Sequence, residues 1–410
     1  MLEKLEGYQQ FKKINHQFTQ SKQKTLPLCA AENRISAFAK LPLSSDYQER
    51  YIMDGLLNFN PQNNFIGSSY LHEIYQLINY QCKKLYSCNY ADARTLSGMN
   101  CVTSLLMSIT TLGDKIMVSD SSNGGHQSMK IVCERLGLEI IDMPYDYESF
   151  NLDYDKIYDL LKENEIKFFL FAPSDIIFPP DFSRLKLPEH ALFLYDASQT
   201  LGLIAGKQLP NPLNSIENLV LFGGTHKTIP GPAKGLIMTN NKEIAKQIDE
   251  TISPKYVRHT QMHQVVSLLF SLFELEVFGE SYSVKILDYA NRLARGLASC
   301  GFTIPQINNE YTKTHQVFIQ TSEAEMNTIY KNAFLNEVTL NKKSKKLFHN
   351  HGIRLGTQEI ARLAWNQDPI ENTIQIILSL LADPTITKKL MKQLTIPSEL
   401  NFTFKTRGEF

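Results

Sequence analysis

One lysine of this 410-residue chain stands on strongly constrained backbone. Lys227 lies in Gly223-Gly224-Thr225-His226-Lys227-Thr228, directly after an apolar run at 219–222, and Pro230-Gly231-Pro232 follows it. Glycines before it and prolines after it hold the loop on a tight path instead of leaving a mobile surface side chain. A lysine so placed at the end of a buried strand is partly desolvated, which lowers its pKa and makes its amine a nucleophile toward a carbonyl. Schiff-base chemistry is the reaction it suits, and an ordinary loop lysine is the plain alternative. A nucleotide-phosphate loop is rejected by spacing. Gly202 and Gly206 are separated by three residues rather than four, and Gln208 follows Lys207 where a hydroxyl residue should hold magnesium. No G-x-G-x-x-G follows any strand-like run.

Four further groups could serve such a lysine. Asp196 ends the apolar run 191–195, and a carboxylate there suits the ring nitrogen of pyridoxal phosphate, keeping it protonated so that the ring withdraws electrons. Asn123-Gly124-Gly125-His126 lets an imidazole approach closely and stack on a cofactor face. Ser97-Gly98-Met99, at the start of a helix-like segment 101–111, offers free backbone N–H groups, a hydroxyl and the positive end of the helix dipole to a phosphate. Arg354, in Gly352-Ile353-Arg354-Leu355-Gly356-Thr357, could clamp a carboxylate through two parallel hydrogen bonds. Taken singly these are a turn cap, a packed histidine, a capped helix and a hairpin arginine. Their order along the chain is the stronger signal.

The elements that must position these residues alternate in type. Short runs at 115–118, 139–141, 168–172, 191–195, 219–222 and 235–238 are apolar on both parities, as strands buried on both faces should be. Helix-like segments such as 127–136 and 153–163 lie between them, which predicts an α/β fold with a mostly parallel sheet. Beyond 260 the texture changes to two successive apolar helices, 261–278 and 281–300, then short alternating runs such as 316–319. The expected organisation is an arm at 1–40, a large domain at 41–280 and a small α+β domain at 281–410. Lys+Arg and Asp+Glu each number 42, so the net charge is zero, which argues against a nucleic-acid binder or a polybasic membrane anchor. The N-terminus has no apolar signal core. The stretch 265–278 is interrupted by Ser267, Ser271, Glu274 and Glu276 and reads as too short and too polar to span a bilayer. A cytoplasmic protein is expected. Cys29, Cys82, Cys88, Cys101, Cys133 and Cys300 show no zinc spacing, so no metal is expected. The modest charged fraction, 20%, points to a large core or a subunit interface.

In this order the residues resemble the fold-type I pyridoxal-phosphate enzymes, and more narrowly the serine hydroxymethyltransferase group. Thr225-His226-Lys227-Thr228 followed by Gly231-Pro232, Gly124-Gly125-His126, Tyr195-Asp196-Ala197-Ser198, Gly352-Ile353-Arg354 and Ala31-Glu32-Asn33 carry the likeness, over roughly 25–370. The resemblance implies a seven-stranded-type sheet in the large domain, with pyridoxal 5'-phosphate on Lys227. Asp196 would pair with the ring nitrogen and His126 would stack on the ring. Ser97, Gly98, Met99 and Thr225 would lie at the phosphate, Ser174 at the phenolic oxygen, and His226 and Gln199 beside the cofactor. Arg354, Tyr47 and Gln199 would bind substrate, and Tyr47 and Glu49, matching the family's Tyr-x-Glu, would handle protons at the substrate hydroxyl. A homodimer or homotetramer with shared sites is implied.

Departures cluster on the co-substrate side. The family's Asp-x-Ala-His ends here in Gln199, its Ser-Glu-Asn begins with Ala31, and the arginine after Gly-Pro is Ala233. Its Tyr-Tyr-Gly-Gly is Phe65-Ile66-Gly67-Ser68, its Glu-Gly-Tyr-Pro-Gly is Glu49-Arg50-Tyr51-Ile52-Met53, and the segment around the Gly-Gly-His is 121–129. The expected activity is therefore a pyridoxal-phosphate transferase or lyase that makes or breaks the Cα–Cβ bond of a β-hydroxy-α-amino acid. It would be an aldolase or transaldolase using threonine, serine or glycine, with an aldehyde partner. Authentic folate-dependent serine hydroxymethyl transfer is the runner-up. Transamination, racemisation or decarboxylation, and a non-catalytic homologue, follow behind.

Overall fold

The computed structural model describes residues 1–52 and 71–406. Phe65–Ser68 and Met53, two of the family departures, lie outside the described residues. Every apolar run named above becomes a strand of one seven-stranded sheet: β2 (Lys115–Val118), β3 (Glu139–Asp142), β4 (Phe168–Phe171), β5 (Leu192–Asp196), β6 (Leu219–Gly224) and β7 (Gly235–Thr239), joined by β1 (Tyr90–Asp92). The spatial order is β1-β7-β6-β5-β4-β2-β3. Neighbours from β6 to β3 pair parallel, and β7 is antiparallel to both β6 and β1. β1 escaped the sequence reading because it is three residues long and ends on a charge. Asp92 is buried only because the Arg94 guanidinium, itself fully buried, pairs with it at 2.7 Å.

The double-sided apolar runs have a simple cause. Phe169, Phe171, Phe193, Tyr195, Leu219 and Leu221 enter one hydrophobic core, while Phe168, Leu170, Leu192, Leu194, Val220 and Phe222 enter the other, on the opposite face. Side chains alternate along a strand, so a sheet covered on both faces has no polar parity. Phe169 stacks on Phe193 across neighbouring strands at 4.8 Å, and Phe171 on Tyr195 at 5.5 Å.

The expected pair of helices is one continuous helix, Met262–Ser299, of 38 residues. Gly279 does not break it, and the tight contact there constrains the neighbour instead: a Cβ on Gly206 would stand 2.5 Å from the Gly279 carbonyl, while a Cβ on Gly279 would meet nothing closer than 3.5 Å. The 280/281 division thus falls inside a helix. By length and composition this helix could cross a membrane, contrary to the reading of 265–278 alone, but 61% of its most apolar window is buried against the chain. Glu274, inside that stretch, is neutralised by Arg362 at 3.0 Å with both side chains buried.

C-terminal to the long helix, three antiparallel strands form a small sheet: β8 (Gln316–Gln320), β9 (Asn341–Lys343) and β10 (Gly352–Gly356), in the order β8-β10-β9. Arg354 sits on the central strand, opposite Phe318 on one side and Asn341 on the other. At the N-terminus, α1 (Glu6–Lys24) buries none of its residues, and Phe11, Ile14 and Phe18 are exposed. A two-residue parallel pairing of Leu26–Pro27 with Val338–Thr339 then feeds residues 28–33 toward the Arg354 strand.

Candidate active site

Parallel strands that share a direction gather their carboxyl ends at one edge, and ligands of open α/β sheets bind there. Asp196 closes β5, the loop with Lys227 follows β6, His126 follows β2 and Ser174 follows β4. Ser198 stitches two of these ends together: its hydroxyl donates to Asp196 Oδ1 and accepts from the Gly224 amide at 2.8 Å. The hydrogen bonds to Asp196 all fall on Oδ1, from the backbone and side chain of Ser198. Oδ2 is left without a partner among the described residues.

The loop bearing Lys227 is rigid for reasons visible in its bonds. Thr225 is fully buried and its hydroxyl donates to the Pro232 carbonyl at 2.7 Å, so it closes the turn. The Asn33 side-chain amide donates to the Lys227 carbonyl and to the Tyr282 hydroxyl, which ties the 28–33 segment to the loop. Burial lowers the Lys227 pKa, and Arg354 adds to that, while Asp196 and Asp175 oppose it. Among the described residues its amine makes no hydrogen bond or ion pair. His226 is held neutral, its pKa pushed down to about 4 by burial and then by Lys227, and its Nδ1 is buried without a partner among the described residues.

Ser97 caps α2 (Gly98–Ile109), its hydroxyl accepting from the Asn100 amide at 3.2 Å. The cap leaves the Gly98 and Met99 amides of the first turn free for an anion. Gly98 packs on Gly224, where a Cβ would stand 3.3 Å from the Gly224 backbone, so the helix start lies against the end of β6. Burial lowers the His126 pKa, and its Nδ1 accepts from the Ser128 amide at 3.2 Å. Gly124 takes φ +93°, and a Cβ there would stand 2.4 Å from the Asp175 carbonyl; only glycine permits both.

Arg354 is buried, not a surface hairpin arginine, and its fork is largely occupied. Nη1 donates to Asp175 Oδ1 and the Ser174 carbonyl, both at 2.8 Å, while Nε and Nη2 donate to Asn341 Oδ1 at 3.2 and 2.6 Å. A two-pronged clamp by Arg354 alone is therefore not what this arrangement offers; one Nη2 N–H remains. Asp175 also pairs with Lys343 at 2.8 Å and Lys345 at 2.7 Å. Burial alone would raise its pKa, but Arg354, Lys343 and Lys345 together pull it down to about 2. Gln199 is buried, and its side-chain oxygen accepts from Gln316 Nε2 at 3.0 Å, the same nitrogen that donates to the Ser174 carbonyl.

Tyr47 and Glu49 come from the N-terminal part of the chain. They lie on a short 3-10 turn, Asp46–Glu49; Tyr47 is half-buried, and Glu49 is exposed, with Arg50 as its ion-pair neighbour at 3.9 Å. Asp175, Lys343, Lys345, Asn341 and Gln316 were missed from the sequence. The signals were there: a Ser-Asp pair in the middle of an otherwise apolar run, 171–178, and four lysines in five residues at 342–346.

A strand-end carboxylate, an unpartnered desolvated amine and a capped helix start at the carboxyl edge of a sheet ordered in this way define a pyridoxal-phosphate enzyme of fold type I. Comparison with known proteins narrows the class. The serine hydroxymethyltransferase family model matches residues 6–377. Serine hydroxymethyltransferases of Sulfolobus acidocaldarius and Thermococcus onnurineus are each 31% identical, over 90% of this chain and 86% and 89% of theirs. The crystal structure of an L-threonine transaldolase from Pseudomonas fluorescens, in its internal aldimine state, superposes with a TM-score of 0.89 at 22% identity, covering 97% of this chain and 93% of that one. The chain belongs to the serine hydroxymethyltransferase family, and pyridoxal phosphate is its cofactor. The residues fit that group: the free amine of Lys227, the open Oδ2 of Asp196 and the free amides of α2 each match one of its functional parts.

Proposed function

We propose that this enzyme makes or breaks the Cα–Cβ bond of a β-hydroxy-α-amino acid, as an aldolase or transaldolase using threonine, serine or glycine with an aldehyde partner. The observation that carries the reading is the gathering of Lys227, Asp196 and Arg354 at one sheet edge, with a neutral amide, Gln199, on the substrate side. Bound there, pyridoxal phosphate supplies the electron sink that stabilises negative charge at Cα. Ser97 and the Gly98 and Met99 amides hold its phosphate, and Thr225 keeps the neighbouring loop closed. Asp196 Oδ2 holds a proton on the ring nitrogen, and His126 and His226 pack beside the ring as neutral imidazoles. Burial shifts Lys227 toward the unprotonated amine, the form that can exchange with a substrate amine.

On the substrate side, the remaining Nη2 N–H of Arg354 and its lysine neighbours face a carboxylate. Gln199, bonded to Gln316, orients by hydrogen bonding but cannot take up a proton, unlike the histidine of the family pattern. Ser174 keeps its hydroxyl free for the phenolic oxygen while its carbonyl anchors Arg354. The β-hydroxyl needs a base, and Glu49 and Tyr47, which match the family's Tyr-x-Glu, supply it from a second subunit. A homodimer with shared sites, or a pair of such dimers, accommodates this. The same fold carries the chemistry named for the Pseudomonas fluorescens transaldolase.

The second reading, folate-dependent serine–glycine exchange, is favoured by the names of the relatives at 31% identity. Incubating the holoenzyme with L-threonine without folate, and with L-serine plus tetrahydrofolate, separates the two. Acetaldehyde and glycine from threonine at the higher rate is the expected outcome. Faster folate-dependent glycine formation from serine would establish the second reading instead.

A further inference from the structure

Lys343, Lys345 and Arg354 converge on one carboxylate. Their nitrogens stand 2.8, 2.7 and 2.8 Å from the oxygens of Asp175, which is fully buried, while the three cationic side chains are 15%, 18% and 6% exposed. Three positive charges against one negative leave an excess of two in a largely desolvated pocket, an arrangement that is costly unless a ligand supplies anions. Each ammonium gives one N–H to Asp175 and keeps two, and Arg354 keeps one on Nη2. The cluster belongs to the reaction chamber. Arg354 and Asp175 both act electrostatically on Lys227, and Lys345 and Asp175 both act on His126. The α-carboxylate of an amino acid would neutralise one of the two surplus charges and leave the other.

We infer that the substrate carries a second anionic group, beyond its α-carboxylate, and that Lys343 and Lys345 receive it beside Asp175. The inference rests on the proposed chemistry only for where the group sits, on the carbon chain beyond Cα. The aldehyde released or taken up would thus itself be acidic. Asp175 is the internal stand-in: it spaces the ammonium groups and keeps them paired while no ligand is there. Its neighbour Ser174 passes the arrangement to Arg354 through its carbonyl. On β9, Lys343 pairs with Gly352, two residues from Arg354, so both cations are carried by adjacent strands of the small sheet.

The test compares two β-hydroxy amino acids that differ only beyond Cβ, L-threonine with a methyl and threo-3-hydroxy-L-aspartate with a carboxylate. Each is titrated into the holoenzyme by calorimetry and by the change in cofactor absorbance. The acid should bind at least about tenfold more tightly than threonine, the scale expected for a desolvated charge pair. In Lys343→Met and Lys345→Met the ratio of the two affinities should fall toward one, and Lys345→Arg should keep it. Equal wild-type affinities would overturn the inference, as would a preference that survives both methionine variants. The wild-type comparison decides even if a variant does not fold. If threonine is cleaved while the ratio is one, this inference fails alone. If neither compound is cleaved but the ratio holds, the proposed reaction fails and the anion pocket stands.

Discussion

The reactivity proposed for Lys227 would come from its surroundings. Burial, the positive field of Arg354 and the lack of a bonded partner all favour the free amine, and Asp196 restrains the effect. Lys227→Ala should abolish the visible absorbance of the lysine-bound cofactor while leaving far-ultraviolet circular dichroism unchanged. Arg354→Lys is not conservative here. A lysine cannot span Asn341, Asp175 and the Ser174 carbonyl at once, so KM for the amino acid should rise about tenfold or more in steady-state kinetics. His315 makes a prediction about pH. It is fully buried with Nε2 beside the Ala30 carbonyl at 3.1 Å, and burial pushes its pKa down to about 3 from an ordinary 6.5. Between those values the unfolded chain binds a proton that the folded chain refuses, so stability falls as pH drops from 6.5 toward 3. The slope is at most about 1.4 kcal/mol per pH unit from this group. His315→Gln should flatten denaturant-midpoint profiles over that window.

The strands were legible as elements because the signal is local: a run of four or five residues apolar on both parities is too short for a helix and fits a strand covered on both faces, and Phe168–Phe171 and Leu192–Asp196 are that. Phe193 is the test of the packing. It is fully buried and stacks on Phe169, so Phe193→Ala should cost about 3–5 kcal/mol of unfolding free energy in urea titrations. What misled the reading of 261–300 was Gly279 in Phe278-Gly279-Glu280-Ser281. Intrinsic propensity makes a glycine weaken a helix by about 1 kcal/mol, and burial of Leu272 and Leu275 before it and Tyr282 and Ile286 after it outweighs that preference. β1 was illegible for a related reason, since its charge is tolerated through Arg94, which the sequence cannot show to be buried beside it.

The whole molecule carries a polar helix, α1, whose few apolar side chains are not buried among the described residues. Nothing in α1 is buried, yet Phe11, Ile14 and Phe18 recur on it at helical spacing and stand exposed. The reading that sites are shared between subunits gives α1 a place on a partner. Removal of residues 1–24 should shift the sedimentation coefficient toward the monomer. Activity should fall with it, because Glu49 would no longer reach a neighbouring Lys227. An oligomer unchanged by the truncation would count against this role for α1.

The strand ends and the helix start that carry Lys227, Asp196, His126 and Ser97–Met99 could be read in the chain itself. Each depends on short-range chemistry, a glycine or proline turn, a strand end or a cap, that a few consecutive residues encode. The surroundings of Arg354 could not be read that way. Asp175 meets Lys345 across 170 residues and Arg354 across 179, and Gln199 meets Gln316 across 117. Only the folding of the small sheet against the carboxyl edge of the large one decides which charges are shut in together, because burial and convergence are properties of the packed chain rather than of its local spacing.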